Sequence, residues 1–388
     1  MTSMHLGGAE RSLIGLLEAF DYDKYDVSLF VYDQSGELMA DIPNAVRLLP
    51  EIKEYKALEQ PISYAICNGL WKVTFGRVVG KIRSRSYAKR FKGCTDIIVG
   101  TEYKQKYTYR YLPFISGDEY DVAISFMIPH YVVAAKVRAK IKIAWVHTDY
   151  TKMHLDLESE EAMWVQYDCI VGVSEGVAES FKTVFPSLKD KVIVIENILS
   201  EKTIKERAKE VISDFDHSHM NLLSVGRFTA AKNFDNVPEI CKELVNQGLD
   251  VIWYLIGYGP DEEVIKNRIR ECGMEGRVVI LGKKENPYPY IAACDYYIQP
   301  SRYEGKAVTV REAQMLGKPV IITDYPTSSS QLTDGYDGII VPMDNEGCAR
   351  GIANVLQDKE LTERLSANCL QEDYTNKNEI NKLYSLIQ

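Results

Sequence analysis

Residues 296–324 read YYIQPSRYEGKAVTVREAQMLGKPVIITD, and this stretch contains the pattern that decides the fold. Two short runs rich in Tyr, Ile and Val, at 296–301 and 319–324, flank an apolar-periodic segment. The segment from Ala307 predicts a helix that ends at Gly317, because glycine stops helices and the proline that follows cannot continue one. A strand, a helix and a second strand in this order predict a parallel βαβ unit.

The same alternation extends through both halves of the chain. Strands are expected at 26–32, 121–126, 142–148, 169–174 and 192–197, and then at 221–228, 250–259, 277–282, 296–301, 319–324 and 338–342. Residues 197–218 are charged and polar without a strand pattern, so we place a hinge there. The sequence thus predicts an α/β protein with Rossmann-like domains at 1–196 and 197–370 and a helix at 371–388 that packs back on the first domain. Two such domains leave a cleft at the carboxyl ends of their strands, where parallel sheets bind ligands.

Length and composition agree with this organisation. At 388 residues the chain exceeds the size at which one hydrophobic core stops growing. A net charge of -9 argues against a nucleic-acid partner. No apolar run approaches the roughly 20 residues of a membrane span, and the N-terminus does not read as a secretory signal. The eight cysteines lack metal-binding spacing, which favours reduced thiols in a cytosolic protein.

The N-terminal segment HLGGAERSLIGLL, residues 5–17, reads as a strand-to-helix turn followed by an amphipathic helix. Gly7 and Gly8 would let the backbone approach a phosphate closely, with the helix dipole adding attraction. Only four residues precede the segment, so the sequence predicts that most of the first strand of this domain is missing.

The segment SVGRFTAAKN, residues 224–233, places two cations after a predicted strand. The strand ends at Gly226, and Arg227 and Lys232 follow at the expected mouth of the cleft. A guanidinium chelates phosphate oxygens and an ammonium adds a point charge, so this pair suits a diphosphate. The alternative is a solvated pair of loop cations, which are common on protein surfaces.

Two glutamates, Glu304 and Glu312, stand eight residues apart around the start of the predicted helix. Both fall where they can face one ligand, and carboxylates accept hydrogen bonds from sugar hydroxyls. The backbone N–H groups of residues 306–308 lie in the first turn and are expected to be free for an anion. Taken alone, two glutamates at this spacing can also be an accident.

His147 lies at the end of the apolar run KIAWVHT and is expected to face the cleft, unless it is a hydrogen-bonded structural histidine.

Three other patterns are interpreted as turns. IGYGPD, residues 256–261, lacks the third glycine of a dinucleotide fingerprint. The acidic pairs in DYD, residues 21–23, and DFD, residues 214–216, lie away from the strand ends, so no metal site is predicted.

Residues 71–92, WKVTFGRVVGKIRSRSYAKRFK, hold eight basic residues and no acid in a chain of net charge -9. Apolar residues recur at helical spacing. A basic amphipathic helix can lie on an anionic leaflet. The alternative is a helix packed on its own domain with a solvated basic face.

In this order and spacing, a set of motifs that covers essentially the whole chain resembles the retaining nucleotide-sugar glycosyltransferases of glycosyltransferase family 4, which have the GT-B fold. The motifs are HLGGAERSL, WVHTDY, SVGRFTAAKN, IGYGP, LGKKENPY, PSRYEGKAVTVREAQMLGKPVI and GYDGIIVP. The similarity is greatest to bacterial members that build capsular and other surface polysaccharides.

The resemblance implies a role for each matching position. Glu304 would contact the donor sugar, with Gly305 beside it, and Glu312 would contact the ribose. His147 would lie near the reacting centre. The remaining implied contacts are Arg227, Lys232 and Gly8 on the diphosphate, the backbone of Ala307 and Val308 as its cap, and Lys284 and Asn286 on the base.

The resemblance also implies partners and chemistry. The donor would be a nucleotide sugar, expected to be a UDP-sugar, and the acceptor a lipid-linked or oligosaccharide acceptor. No cofactor, metal or protein nucleophile is expected, because the departing phosphate is thought to help deprotonate the acceptor. The enzyme would be cytoplasmic and peripheral on the inner face of the cell membrane, docked through residues 71–92. Lys306 stands where many members carry an aromatic residue or a proline.

Two other functions remain open from the sequence. One is a GT-B sugar-nucleotide epimerase, which would need its own acid/base residues. The other is an inactive partner subunit of a transferase complex, which the short first strand favours and the complete set of site residues opposes.

Overall fold

A computed structural model describes residues 1–5, 7–89, 97–154, 156–304 and 306–387. The chain divides into two compact units, one formed by 1–200 with 376–388 and the other by 201–375. The boundaries predicted from the sequence lie between residues 196 and 197 and between residues 370 and 371. Residues 376–388 belong to the first unit.

The first unit contains two parallel sheets. Its strands are β1 Ser28–Leu29, β2 Arg47–Leu48, β3 Glu119–Ser125, β4 Arg138–Val146, β5 Cys169–Gly172 and β6 Val192–Val194. Strands β1 and β2 form a pair, and β3 to β6 form a sheet in chain order. Its helices are α1 Gly8–Ala19, α2 Lys53–Glu59, α3 Ile62–Cys67, α4 Trp71–Ala88, α5 Ile97–Thr108, α6 Tyr131–Lys136, α7 Leu157–Trp164 and α8 Glu175–Val184.

Residues 1–4 run beside the segment that follows β1. The amides of Tyr32 and Asp33 donate to the carbonyls of Met1 and Thr2 at 2.9 and 3.0 Å. Met4 is fully buried in the core formed by α1 and the strands. This part of the chain therefore packs as a short extended segment ahead of the turn into α1.

The second unit is one parallel sheet with helices in the connections. Its strands are β7 Met220–Val225, β8 Val251–Ile256, β9 Val278–Gly282, β10 Tyr296–Gln299, β11 Val320–Thr323 and β12 Ile339–Val341. The helices of this unit are α9 Glu201–Arg207, α10 Val237–Asn246, α11 Glu262–Cys272, α12 Tyr288–Ala293, α13 Val308–Met315, α14 Ser328–Gln331, α15 Asn345–Gln357 and α16 Lys359–Cys369. The last helix of the chain, α17 Ile380–Ile387, belongs to the first unit. The central strands read as continuous apolar runs because helices cover a parallel sheet on both faces.

The order of these strands is β12-β11-β10-β7-β8-β9. Strands β8 and β9 are added in turn on one side of β7. The chain then returns to the other side of β7, where β10, β11 and β12 are added in turn. The switch therefore lies between β7 and β10, and open parallel sheets bind ligands at the carboxyl ends of the strands at such a point.

The first unit also buries two carboxyl groups between its helices. Glu102 and Glu160 are 1% and 4% exposed. Oε1 of Glu102 accepts hydrogen bonds from the hydroxyls of Ser159 and Tyr131, and Glu160 accepts one from Trp164 Nε1 at 3.0 Å. Burial raises the pKa of Glu102 to about 7 and, together with the nearby Glu102 charge, that of Glu160 to about 8.

We expect this pair to make the stability of the protein fall as pH rises. Between pH 4.5 and pH 8 the folded state binds more protons than the unfolded state, so the free energy of unfolding decreases through this window. Glu160→Gln should flatten the dependence and be more stable than wild type at pH 8. The difference is expected on the order of a few kcal/mol, because a tenfold change in proton affinity is worth about 1.4 kcal/mol.

Urea unfolding at pH 5, 6.5 and 8 measures this effect. Glu158→Gln is the matched control, because Glu158 lies on the same helix and is exposed. A Glu160→Gln variant whose stability runs parallel to that of wild type at all three pH values would contradict the assignment.

Candidate functional site

The loops after β7 and β10 meet at the switch point of the second sheet and contain the predicted cation and glutamate. Lys232 Nζ lies 2.6 Å from Glu304 Oε1. The same oxygen accepts hydrogen bonds from Ser301 Oγ at 2.5 Å and Gln299 Nε2 at 3.2 Å. The side chains of Lys232 and Glu304 are only 19% and 12% exposed. Two residues 72 positions apart in the sequence thus form one largely buried ion pair.

Gly226 and Arg227 stand beside this pair. A Cβ at Gly226 would lie 3.3 Å from Lys232 Cε, so a side chain here would press on the lysine. Arg227 is exposed and directly follows this glycine. The amide of Arg302 donates to the carbonyl of Ala231 at 2.8 Å, which ties the two loops together. The structure therefore gathers the predicted residues of both loops at one end of the sheet.

The start of α13 differs from the expectation at Ala307. Its N–H was expected to be free, but it donates to Gln331 Oε1 at 2.7 Å, and Gln331 Nε2 donates back to the Ala307 carbonyl at 3.3 Å. Ala307 is 4% exposed and has no side-chain oxygen, so its buried amide needs a partner from elsewhere. Gln331 is not detectable as that partner from sequence, because it lies 24 residues away beyond β11.

A second contact holds the same loop. Thr327 Oγ1 donates to the carbonyl of Glu304 at 2.8 Å, so the loop is fixed at both ends. Val308 is the first residue of α13, one residue after the predicted start at Ala307. Gly305 lies outside the described residues.

Glu312 is placed differently from Glu304. It is fully buried, and its Oε1 accepts a hydrogen bond from Tyr288 Oη at 3.1 Å. Its predicted contact with a ribose stays a prediction.

Lys284 and Asn286, the residues predicted to hold a base, bond within the second unit. Lys284 Nζ lies 3.3 Å from Asp214 Oδ1 and 5.0 Å from the centroid of the Tyr290 ring. Asn286 Nδ2 donates to the carbonyl of Arg207 at 2.8 Å. Both side chains therefore tie the loop after β9 to the segment that follows α9.

His147 and Gly8 lie in the first unit. His147 Nε2 lies 2.9 Å from the carbonyl oxygen of Phe126, so this nitrogen carries the proton and donates, and Nδ1 is left as an acceptor. Burial lowers the pKa of His147 to about 4, so the ring is neutral at physiological pH. Gly8 begins α1, and among the described residues no non-neighbouring atom lies within 4 Å of the position of a Cβ there.

Of the residues in the two acidic pairs, Asp21 and Asp216 make local contacts, whereas Asp214 accepts hydrogen bonds from Lys284 and Tyr290. Asp21 binds Lys24 on the surface at 2.6 Å, and Asp216 caps the backbone of Ser218 at 2.9 Å. Over the described ranges, no group of three His, Cys, Asp or Glu residues is arranged to hold a metal ion.

The basic helix is α4, and its outward face is apolar. Trp71, Phe75, Val78 and Ile82 are 66%, 59%, 39% and 62% exposed. At about 100° per residue these four fall within about 60° of one another. We call them the α4 stripe. Exposed basic residues flank it on both sides, namely Lys72 and Arg83 on one side and Lys81 and Arg85 on the other, and exposed Lys89 follows its C-terminal end. Residues 90–92 of the predicted basic segment lie outside the described ranges.

The opposite face of α4 packs against α5 through two glycines. A Cβ at Gly76 would lie 2.7 Å from the carbonyl oxygen of Tyr107, and one at Gly80 would lie 2.6 Å from that of Tyr103. The glycines therefore allow close packing of the two helices. The helix thus packs on its own domain with a solvated basic face, as the alternative describes, and its solvent-facing side also carries the apolar α4 stripe.

Comparison with known proteins identifies part of the second unit. Residues 205–371 match the family model described as "Glycosyl transferases group 1". A lipopolysaccharide core biosynthesis glycosyltransferase, LpsE of Rhizobium meliloti, is 28% identical over 202 residues, which are 51% of this chain and 57% of LpsE. A Campylobacter jejuni N-acetylgalactosaminyltransferase, named for a diphospho-undecaprenol substrate, is 26% identical over 201 residues, 51% of this chain and 53% of that protein. The matches thus span about half the length of these relatives.

Solved structures resemble the whole chain. WaaG, a glycosyltransferase involved in lipopolysaccharide biosynthesis, superposes with a TM-score of 0.62 over 100% of this chain and 98% of WaaG, at 13% identity. Anabaena HepE in complex with UDP and glucose gives a TM-score of 0.61 over 99% and 98% of the two chains, at 16% identity. This similarity confirms the GT-B fold class. The match to the glycosyl transferases group 1 family model falls within the second unit, over residues 205–371.

Proposed function

We propose that the protein transfers a sugar, with retention, from a nucleotide-sugar donor to a lipid-linked or oligosaccharide acceptor in the synthesis of a bacterial surface polysaccharide. The observation that carries this proposal is the buried Lys232–Glu304 pair at the switch point of a group 1 glycosyl transferase domain. The names of the relatives, which refer to lipopolysaccharide core and to a diphospho-undecaprenol substrate, support the acceptor class.

A UDP-sugar is the donor that we propose. HepE was solved with UDP-glucose and TarM with UDP, and both resemble this chain in fold. The two phosphates would lie at Arg227 and Lys232, where the cations stabilise the charge that develops on the leaving diphosphate. The proposal requires no metal, cofactor or protein nucleophile.

Glu304 would hold the donor sugar through its second oxygen. Within the described ranges, Lys232, Gln299 and Ser301 all donate hydrogen bonds to Oε1 of this carboxylate, so a sugar hydroxyl would donate to Oε2. In the transfer step the bond between the anomeric carbon and the diphosphate oxygen breaks, and a bond to the acceptor oxygen forms on the same face. The acceptor proton goes to the departing phosphate. Neutral His147 would accept a hydrogen bond at Nδ1 near the reacting centre.

Hydrolysis of a panel of nucleotide sugars tests the proposal. The purified protein is expected to release UDP slowly from at least one UDP-sugar, and faster when a suitable acceptor is present. Absence of turnover with every donor, together with absence of nucleotide binding, would favour the inactive partner subunit. An epimerised sugar nucleotide without transfer would favour the epimerase.

We also propose that the enzyme is cytoplasmic and rests on the inner face of the membrane through the α4 stripe. Among the described residues no helix is both long enough and apolar enough to cross a bilayer. Large apolar side chains on the outward face of α4, flanked by cations, match an anionic leaflet in both polarity and charge. A lipid-linked acceptor is presented at such a surface.

A further inference from the structure

Three loops meet at the carboxyl ends of β7, β8 and β9, next to the proposed diphosphate site. The amide of Gly226 donates to the Ile256 carbonyl, and the amide of Gly257 donates to the Gly282 carbonyl, both at 2.9 Å. The amide of Phe228 donates to the carbonyl of Tyr258 at 2.9 Å. The backbone of Tyr258 is thus held between the loop of Arg227 and the loop after β9.

The two glycines that flank Tyr258 make this arrangement possible. A Cβ at Gly257 would collide with the carbonyl oxygen of Gly226, and one at Gly259 with that of Phe228. Gly257 also has a φ of +155°, which a side chain disfavours. The segment that the sequence suggested to be a tight turn therefore packs against the loop of Arg227, and Tyr258 carries the aromatic side chain of this turn.

Tyr258 presents its ring to solvent although it lies only two residues beyond the end of the buried strand β8. The residue is 52% exposed. Lys283 Nζ, from the loop after β9, lies 5.5 Å from the ring centroid. An exposed aromatic ring with a cation against it, at the end of a parallel sheet, is suited to stacking on a flat heterocycle.

The position suits one part of a nucleotide. Neighbouring strands lie about 4.8 Å apart, so β7 and β9 are separated by roughly 10 Å. A nucleoside diphosphate with its phosphates at Arg227 would extend its base along this edge. Lys284 and Asn286, the residues predicted to hold the base, are bonded to Asp214 and to the carbonyl of Arg207, and their contact with a base stays a prediction.

We propose that Tyr258, supported by Lys283, forms the stacking platform for the nucleobase of the donor. This inference rests on the proposed function and adds a residue that governs affinity for the nucleoside part. Stacking does not distinguish bases by hydrogen bonds, so Tyr258 contributes affinity for the base ring and leaves the choice of base to other contacts.

Titration calorimetry with UDP, GDP, ADP and pyrophosphate tests the platform. Tyr258→Ala is expected to weaken binding of the preferred nucleoside diphosphate about tenfold. Binding of pyrophosphate should be unchanged, because it has no base to stack. Tyr258→Phe and Tyr258→Trp should stay within about threefold of wild type, since both keep an aromatic face.

Tyr336→Ala is the matched control, because Tyr336 is a 40% exposed tyrosine of the same unit. It should bind all four ligands as wild type does. If wild type binds a nucleoside diphosphate and Tyr258→Ala binds it with the same affinity, Tyr258 is not the stacking platform. The proposed function would be unaffected by that result. Failure of all three nucleotides and pyrophosphate to bind wild type would overturn both.

Discussion

Lys232→Met is expected to lower kcat/KM for sugar transfer or donor hydrolysis by about 10²- to 10³-fold. The methionine keeps most of the volume of the lysine but removes the ammonium that would stabilise the leaving diphosphate, and a loss of this size is typical for one preorganised stabilising group. The substitution also leaves Glu304 as a charge in a mostly buried position. We therefore expect the variant to lose stability as well, on the order of 3 kcal/mol.

The double variant Lys232→Met/Glu304→Gln separates these two effects. It removes both charges, so the stability lost in the single variant should largely return, whereas the activity should not. Lys266→Met is the control, because Lys266 pairs with Glu262 and Glu263 on the exposed surface of α11. If Lys232→Met keeps activity close to that of wild type, the Lys232–Glu304 pair is not part of the active site. If the double variant recovers activity, the pair has a structural role only.

Trp71→Ser/Ile82→Ser is expected to reduce binding to vesicles that contain anionic lipid by about 10²-fold or more. Burial of a large apolar side chain contributes about 1.5–3 kcal/mol, and both residues are more than 60% exposed, so little is buried in the protein itself. For the same reason the thermal unfolding midpoint should barely change. Vesicle flotation across a range of lipid concentrations measures the partition coefficient.

Charge and apolar contributions can be told apart with two further variants. Lys81→Glu/Arg83→Glu/Arg85→Glu/Lys89→Glu should abolish binding to anionic vesicles at low salt, because each well-placed cation contributes about 1 kcal/mol. Val211→Ser/Leu370→Ser is the matched control, because these residues are 93% and 65% exposed in the second unit. If the Trp71→Ser/Ile82→Ser variant floats with the vesicles as wild type does, the α4 stripe is not the membrane-binding surface.

The fold could be predicted largely from the sequence. Each predicted strand overlaps an observed one, because the strands of a parallel sheet are buried on both faces and read as apolar runs between turn residues. The pair formed by β1 and β2 shows the limit of this approach. Arg47 and Leu48 form a two-residue exposed strand, which leaves too few residues for any pattern.

The candidate site could be predicted in part. Gly226, Arg227 and Lys232 follow β7, and Glu304 follows β10. These two strands are neighbours at the switch point, so the four residues were predictable as a group once the strand order is known. Gln331 was not, because a carboxamide that caps a distant backbone leaves no local pattern. Such contacts depend on tertiary packing.

The spacing of the two glycines in α4 contained information on how the helix packs that the sequence analysis did not use. Gly76 and Gly80 lower helix propensity, and from sequence they favour neither proposed role for the helix. Their four-residue spacing places both on one face, which is the face that packs on α5. The α4 stripe lies opposite and could have been predicted as the outward face from this spacing.

Isothermal titration of UDP into wild type, Arg227→Ala and Arg268→Ala tests most directly whether the strand ends of β7 and β10 hold a nucleoside diphosphate. Wild type is expected to bind one UDP per chain. Arg227→Ala should raise the dissociation constant about tenfold or more, because a hydrogen bond to a charged group is worth about 1.5–3 kcal/mol. Arg268→Ala, which loses only surface pairs with Glu239 and Glu271, should bind as wild type does. UDP binding that is equally tight in Arg227→Ala, or no UDP binding by wild type, would contradict the account.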